Sequence, residues 1–213
     1  MPDFTLEHAH NGPTCGCDEV GRAPLAGPVT AACVYIPEDL YADPLWQEVN
    51  DSKKLSKTKR ETLSIAIKDT AHWGIGEASV EETDAINIVQ ASFLAMRRAY
   101  DMMGVETTLA LIDGNITPKS FPCSTQTIVK GDSKSISIAA ASIIAKVHRD
   151  TFMADLAKQH PHYGWERNAG YPTREHLDAI NVHGITKFHR KSFAPVKNFI
   201  AFGTTDRQLK IAL

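Results

Sequence analysis

Two hydrophobic periods alternate along the 213 residues. Short β-branched or alternating runs predict strands near 14–19, 29–36, 73–80, 107–112 and 125–129. A Gly/Pro-rich turn at 21–28 separates the first two. Ser56 reads as the N-cap of a helix to about 70, with Leu63, Ile65 and Ile67 on its apolar side. Thr83 or Asp84 opens a second helix to about 103. Its apolar positions Ile86, Val89, Phe93, Met96 and Tyr100 step by three and four. Residues 134–158 predict a long helix whose first half, ISIAAASIIAKV, is apolar or small all round and therefore buried on several sides. Beyond 160, Pro161, Gly164, Gly170, Pro172, Gly184 and Pro195 punctuate shorter helices. This order predicts an α/β core with a mixed sheet over 1–158, followed by a helical extension over 159–213.

Composition narrows the class. Hydrophobic residues at 43 % and charged residues at 23 % exclude wholesale disorder. No apolar run reaches the roughly 20 residues of a membrane span, and the N-terminus lacks the basic start and apolar stretch of a signal peptide. A soluble, cytoplasmic protein is expected. Cys15, Cys17, Cys33 and Cys123 form no CxxC pair, so buried free thiols in a reducing compartment are expected. The net charge of -2 hides an asymmetry: residues 1–115 hold 9 Lys+Arg against 18 Asp+Glu, and residues 116–213 hold 14 against 7. Such a split hints at a nucleic-acid partner, although a chance division over a folded surface gives the same count.

The chain carries no GxSxG elbow, no GxxxxGK[ST] phosphate loop and no HExxH helix, and Gly74-Ile-Gly76 lacks the third glycine of a dinucleotide loop. Carboxylates say more. Asp18 and Glu19 follow an apolar strand. Side chains alternate along a strand, so the two serve one site only where the chain bends, at Gly21-Arg22-Ala23-Pro24. Asp113 ends the apolar strand 107–112, and Asp132 precedes the long helix. Strand ends are where α/β folds build sites, and clustered carboxylates call for a hard cation such as Mg²⁺. Plainer roles stand beside this one: Asp132 as a helix cap and Asp113 as the start of a turn. The tract 187–197, KFHRKSFAPVK, interleaves basic and aromatic residues and suits phosphate contacts or simply a solvated face.

The runs CDEVGRAPLAGPV (17–29), DSKKLS (51–56), LIDGN (111–115), KGDSKSISIAAASIIAKVHRD (130–150), GYPT (170–173) and HRKSFAPV (189–196) together resemble bacterial ribonuclease HII, the type 2 ribonuclease H. The resemblance implies a ribonuclease H-like fold, with a central mixed five-stranded sheet flanked by helices and a C-terminal helical extension that assists duplex binding. It implies an endoribonuclease that hydrolyses the RNA strand of RNA–DNA hybrids and nicks 5′ of single ribonucleotides in duplex DNA, in replication and ribonucleotide excision repair. The ends would be 5′-phosphate and 3′-hydroxyl, produced with two divalent cations, Mn²⁺ or Mg²⁺. Asp18, Glu19, Asp113 and Asp132 would be the metal-binding carboxylates. Gly21, Arg22 and Ala23 would read the ribonucleotide at the junction, with Ala23 where the family commonly has glycine. Ser52 and Lys53 would meet backbone phosphate, Tyr171 would pack on the following deoxyribose, and Arg190 would lie in the part that holds the duplex. Other readings are a different two-metal nuclease or phosphatase, or a non-catalytic hybrid binder. A monomer is expected, and Gln208–Leu213 loosely resembles the short peptides that bind sliding clamps.

Overall fold

The computed structural model describes residues 1–206. The clamp-like segment 208–213 lies outside them. In chain order the elements are α1 (Thr5–His8), β1 (Thr14–Val20), β2 (Val29–Tyr35), α2 (Lys57–Thr70), β3 (His72–Ala78), α3 (Val80–Ile86), α4 (Ile88–Met103), β4 (Leu109–Asp113), β5 (Ser124–Ile128), α5 (Ile136–Gln159), α6 (Trp165–Asn168), α7 (Arg174–His183) and α8 (Ala194–Phe202). Short 3₁₀ turns at Ser52–Lys54 and Gly131–Ser133 interrupt the loops. The five strands form one mixed sheet in the order β3-β2-β1-β4-β5. β1 pairs antiparallel with β2 and parallel with β4, which in turn runs parallel to β5. Among the described residues no helix is long and apolar enough to cross a membrane.

The residues divide into two compact units: 1–20, 30–77 and 92–148 in the first, and 21–29, 78–91 and 149 onward in the second. The first unit holds the sheet. Its main core gathers Ala32 and Val34 of β2, Ile36 just after it, Leu63 and Ile67 of α2, and Ile136, Ile143 and Ile144 of α5. Each of the Val, Leu and Ile side chains contributes roughly 1.5–3 kcal/mol by leaving water. The all-round apolar pattern of α5 is explained, because Ile138–Ala141 and Ile143–Ala145 are fully buried. The second unit packs around Leu25, Met153, Trp165, Ile180 and Val196.

Local chemistry sets the helix starts. The Ser56 hydroxyl accepts the Lys59 amide, as expected of an N-cap. Ile65, however, is 65 % exposed, whereas Leu63 and Ile67 are buried. A spacing of two is too short to keep all three on one helical face. The helix expected from Thr83 or Asp84 starts earlier. Ser79 and Glu82 form a reciprocal capping box at Val80, and Asn87, with φ of 68°, breaks the run into α3 and α4. Gly74 and Gly76 let β3 lie flush on α4: a Cβ on Gly74 would stand 2.1 Å from the Ala99 carbonyl oxygen. That close approach accounts for the paired glycines without a nucleotide.

The cysteines correct one expectation. Cys17 and Cys33 are directly opposed across β1 and β2 and are disulfide-bonded. Antiparallel register, invisible in the 16-residue spacing, brings them together. Cys15 and Cys123 are free, and burial pushes the Cys15 thiol up to about 12.

Candidate active site

Register places the first two acids. Cys17 pairs with Ile112 along the parallel β1–β4 ladder, so Asp18 and Asp113 are the next residues on neighbouring strands. Such strands lie about 4.8 Å apart. Asp18 is buried and its Oδ1 accepts the Glu19 amide at 2.7 Å. The Asp113 Oδ1 accepts the Gly131 amide at 2.7 Å, which ties the end of β4 to the 3₁₀ turn carrying Asp132. Asp132 is buried in that turn, and its Oδ2 lies 3.9 Å from the Lys53 ammonium.

These groups share one electrostatic neighbourhood within the first unit. Burial, then the charges of Glu19 and Asp113, raise the Asp18 carboxyl well above the ordinary range. Burial, then Asp51 and Asp113, raise Asp132. Burial alone would lower Lys53, but Asp132, Asp18, Asp51 and Asp113 together outweigh it and hold the ammonium above its usual value. More negative charge is packed here than one lysine balances. The donor set is hard oxygen throughout, which fits a divalent ion of the Mg²⁺ or Mn²⁺ type. Among the described residues no three acidic, histidine or cysteine side chains close on a single point as a complete cage.

Two participants escaped sequence reasoning. Asp51 faces Asp132 and caps Lys53 through its own carboxylate, with the Lys53 amide at 2.9 Å. Its signal was the acid that opens DSKKLS. Ser142, from the apolar half of α5, meets the Ser52 hydroxyl at 2.8 Å and also hydrogen-bonds Asp18. Ser52 is thus fixed in the interior, whereas the Lys53 side chain is 81 % exposed and reaches outward.

The remaining predicted site residues belong to the second unit. Gly21 and Pro24–Val29 are buried, and Arg22 and Ala23 stand exposed at the tip of the turn. Gly21 has φ of 90°, and a Cβ there would sit 2.3 Å from the Arg149 Nε. Ala23 is absent from the positive-φ residues, so its methyl group strains nothing. Tyr171 is 39 % exposed. The Gly170 carbonyl before it accepts the Leu25 amide at 2.8 Å. Arg190 departs from the expectation of direct duplex contact: it is fully buried beneath the turn, with its guanidinium on backbone carbonyls.

A histidine pair supports this arrangement. The Thr186 amide donates to Nδ1 of His189 at 2.9 Å, so the His189 proton sits on Nε2. That N–H donates to Nε2 of His176 at 3.1 Å, which also accepts Trp165 Nε1–H. His176 therefore carries its proton on Nδ1 and donates it to the Tyr171 carbonyl at 2.9 Å. Both rings are neutral: burial, then His176, pushes His189 down to about 3, and burial lowers His176.

Comparison with known proteins identifies the family and the fold. The family model described as Ribonuclease HII matches residues 15–196. The chain belongs to the ribonuclease HII family. A ribonuclease HII of Paramagnetospirillum magneticum is 56 % identical over 202 residues, covering 95 % of this chain and all of that one. That of Rhodospirillum rubrum is 53 % identical over 203 residues, covering 94 % and 93 %. Among solved structures, ribonuclease H2 of Pyrococcus horikoshii OT3 superposes with a TM-score of 0.76 at 22 % identity, covering 90 % and 98 %. Bst-RNase HIII in complex with Mn²⁺ gives 0.72 at 19 % identity, covering 97 % and 75 %. RNase HII in the PCNA:RNase HII complex of Archaeoglobus fulgidus gives 0.68 at 25 % identity, covering 84 % and 93 %. The sheet is therefore that of the ribonuclease H-like fold, and the chain is a ribonuclease H.

Proposed function

We propose that this ribonuclease hydrolyses the RNA strand of RNA–DNA hybrids and cuts on the 5′ side of single ribonucleotides in duplex DNA. The observation that carries the reading is the crowding of Asp18 by Glu19 and Asp113, with Asp132 and Asp51 nearby. Asp18, Glu19, Asp113 and Asp132 would hold two divalent cations, a reading supported by the Mn²⁺ complex of the HIII relative. Bound there, the cations supply Lewis-acid activation of water and charge stabilisation at the departing 3′-oxygen.

The protein's own part is to position. The Gly131 amide aims Asp113, and Ser142 aims Asp18, so the two carboxylates keep fixed directions. Lys53, whose side chain is 81 % exposed, would meet a backbone phosphate beside the carboxylates. No protein nucleophile is required, consistent with the absence of any nucleophile motif. RNA and DNA differ locally only at the 2′-OH. The exposed turn at Arg22 and Ala23 brings backbone donors suited to that group, and the half-exposed Tyr171 ring suits a sugar that lacks it. A sliding-clamp partner is supported by the likeness to an RNase HII solved with PCNA. A clamp pull-down abolished by deleting 208–213 would support it, and an unaffected one would remove it.

A labelled RNA–DNA hybrid tests the hydrolysis. With Mg²⁺ or Mn²⁺ the RNA strand should yield 5′-phosphate and 3′-hydroxyl ends, and chelator should stop the reaction. Cleavage in chelator, or 2′,3′-cyclic phosphate ends, would overturn the reading.

A further inference from the structure

The turn that would read the ribonucleotide is held by an unusual set of contacts, all within the second unit. Arg190 donates from Nη2 to the carbonyl of Gly21 at 2.7 Å, from Nη1 to that of Arg22 at 3.1 Å, and from Nε and Nη2 to that of Gly27 at 3.0 and 2.8 Å. Arg149 donates from Nε to Pro28 at 3.0 Å and from Nη2 to Ala26 at 2.9 Å. Its Nη1 binds the Ala169 carbonyl at 2.9 Å, two residues before Tyr171. The Arg190 amide takes the Leu25 carbonyl at 2.8 Å. Six carbonyls of a single eight-residue turn therefore point at two arginines, both wholly buried.

The peptide group converts that clamp into a direction. In a trans peptide the C=O and the following N–H are antiparallel, and no cis bond occurs among the described residues. Fixing the Gly21 carbonyl on Arg190 turns the Arg22 N–H the opposite way. Fixing the Arg22 carbonyl does the same for the Ala23 N–H. We propose that Arg190, assisted by Arg149, is a positioning residue for substrate recognition: it holds the carbonyls of the turn inward and so presents the Arg22 and Ala23 amides outward to the ribonucleotide. This rests on the reading of the turn given under Proposed function. Only an arginine offers a planar fork wide enough to meet three carbonyls at once; a lysine ammonium is a point donor. Burial, then the charge of Arg149, lowers Arg190 to about 9, so the guanidinium is charged at neutral pH and its hydrogen bonds are charge-assisted. Asp84 helps to seat this segment, accepting the amides of Lys191 and Ser192 at 2.8 and 2.9 Å.

Steady-state cleavage of a duplex with one ribonucleotide tests the inference, using the full chain with Arg190→Gln and Arg190→Lys. Arg190→Gln should raise KM tenfold or more while kcat changes less than threefold, and Arg190→Lys should fall between it and the wild type. Independently of catalysis, the amide resonances of Arg22 and Ala23 should shift in both variants while that of Gly131, bonded to Asp113, stays in place. If Arg190→Gln fails to fold, Arg190→Lys decides alone: a KM raised at least threefold with shifted Arg22 and Ala23 amides supports the assignment. Folded variants with wild-type KM and unmoved amides overturn it. A wild-type protein that cleaves no ribonucleotide substrate sinks the functional reading instead, and the amide resonances still judge the clamp.

Discussion

Replacing Asp18 by asparagine should make the protein more stable and inactive at once. Asp18 is buried beside Glu19 and Asp113, and its carboxyl is raised well above the ordinary range, first by burial and then by those two charges. A carboxyl raised in the folded state favours folding most at low pH, below its unfolded value near 3.9, and loses that advantage as pH rises through its folded value. At neutral pH it is therefore a liability. Asparagine keeps an oxygen for the Glu19 amide at 2.7 Å and removes the charge. Relief of one crowded, buried charge is worth on the order of 1–3 kcal/mol. At about 2–4 °C per kcal/mol for a chain of this size, Tm in chelator should rise by roughly 2–12 °C, more at pH 7.5 than at pH 5. Divalent cation at a hundredfold excess over its dissociation constant should stabilise the wild type by about 2.7 kcal/mol, and the variant by much less. Thermal unfolding of both proteins, with chelator and with Mg²⁺, measures each quantity. A lower Tm for Asp18→Asn in chelator, or an equal gain for both proteins in Mg²⁺, would refute the reasoning.

Gly21→Ala meets both a left-handed φ of 90° and the Arg149 Nε, 2.3 Å from the new methyl group, so a loss of about 1–3 kcal/mol is expected in denaturant titrations. Ala23→Gly, by contrast, relieves no strain, because Ala23 is exposed and lies outside the left-handed region. Its KM for a single-ribonucleotide duplex should stay within about twofold of the wild type; a clear fall would show that the methyl group obstructs binding. His189, lowered from 6.5 to about 3 by burial and by His176, takes up a proton on unfolding anywhere in that interval. Its contribution is complete above pH 6.5 and fades as pH falls toward 3, by at most about 5 kcal/mol. The slope of Tm against pH between 6.5 and 4 should flatten in His189→Gln; an unchanged slope would remove His189 from the acid response.

Elements whose identity is local were legible in the sequence. The Ser56 cap, the apolar β4 run and the all-round apolar half of α5 need no distant partner to be read. The break at Asn87 was not legible, because a continuous three-and-four apolar step runs through it and only the Ser79–Glu82 box and the positive φ reveal two helices. The Cys17–Cys33 pairing depends on strand register, which spacing does not encode. For the site, Asp18, Glu19, Asp113 and Asp132 stood out as acids at element ends. Asp51 and Ser142 did not, since one looks like a loop acid and the other like part of a buried helix. Arg190 shows the opposite failure. A basic residue in a basic tract reads as a phosphate contact, and only three-dimensional burial shows its guanidinium turned to the carbonyls of Gly21, Arg22 and Gly27. The charge asymmetry along the chain pointed at a nucleic acid without saying which groups meet it.

The most direct test offers the protein a DNA duplex containing one ribonucleotide, with Mg²⁺ or Mn²⁺, and maps the cut at nucleotide resolution. A single nick on the 5′ side of the ribonucleotide, absent from the all-DNA duplex and lost in Asp18→Asn, is the predicted result. No nick with either cation, an equal cut in all-DNA duplex, or an Asp18→Asn protein of wild-type rate would contradict a carboxylate-centred, ribonucleotide-directed hydrolysis.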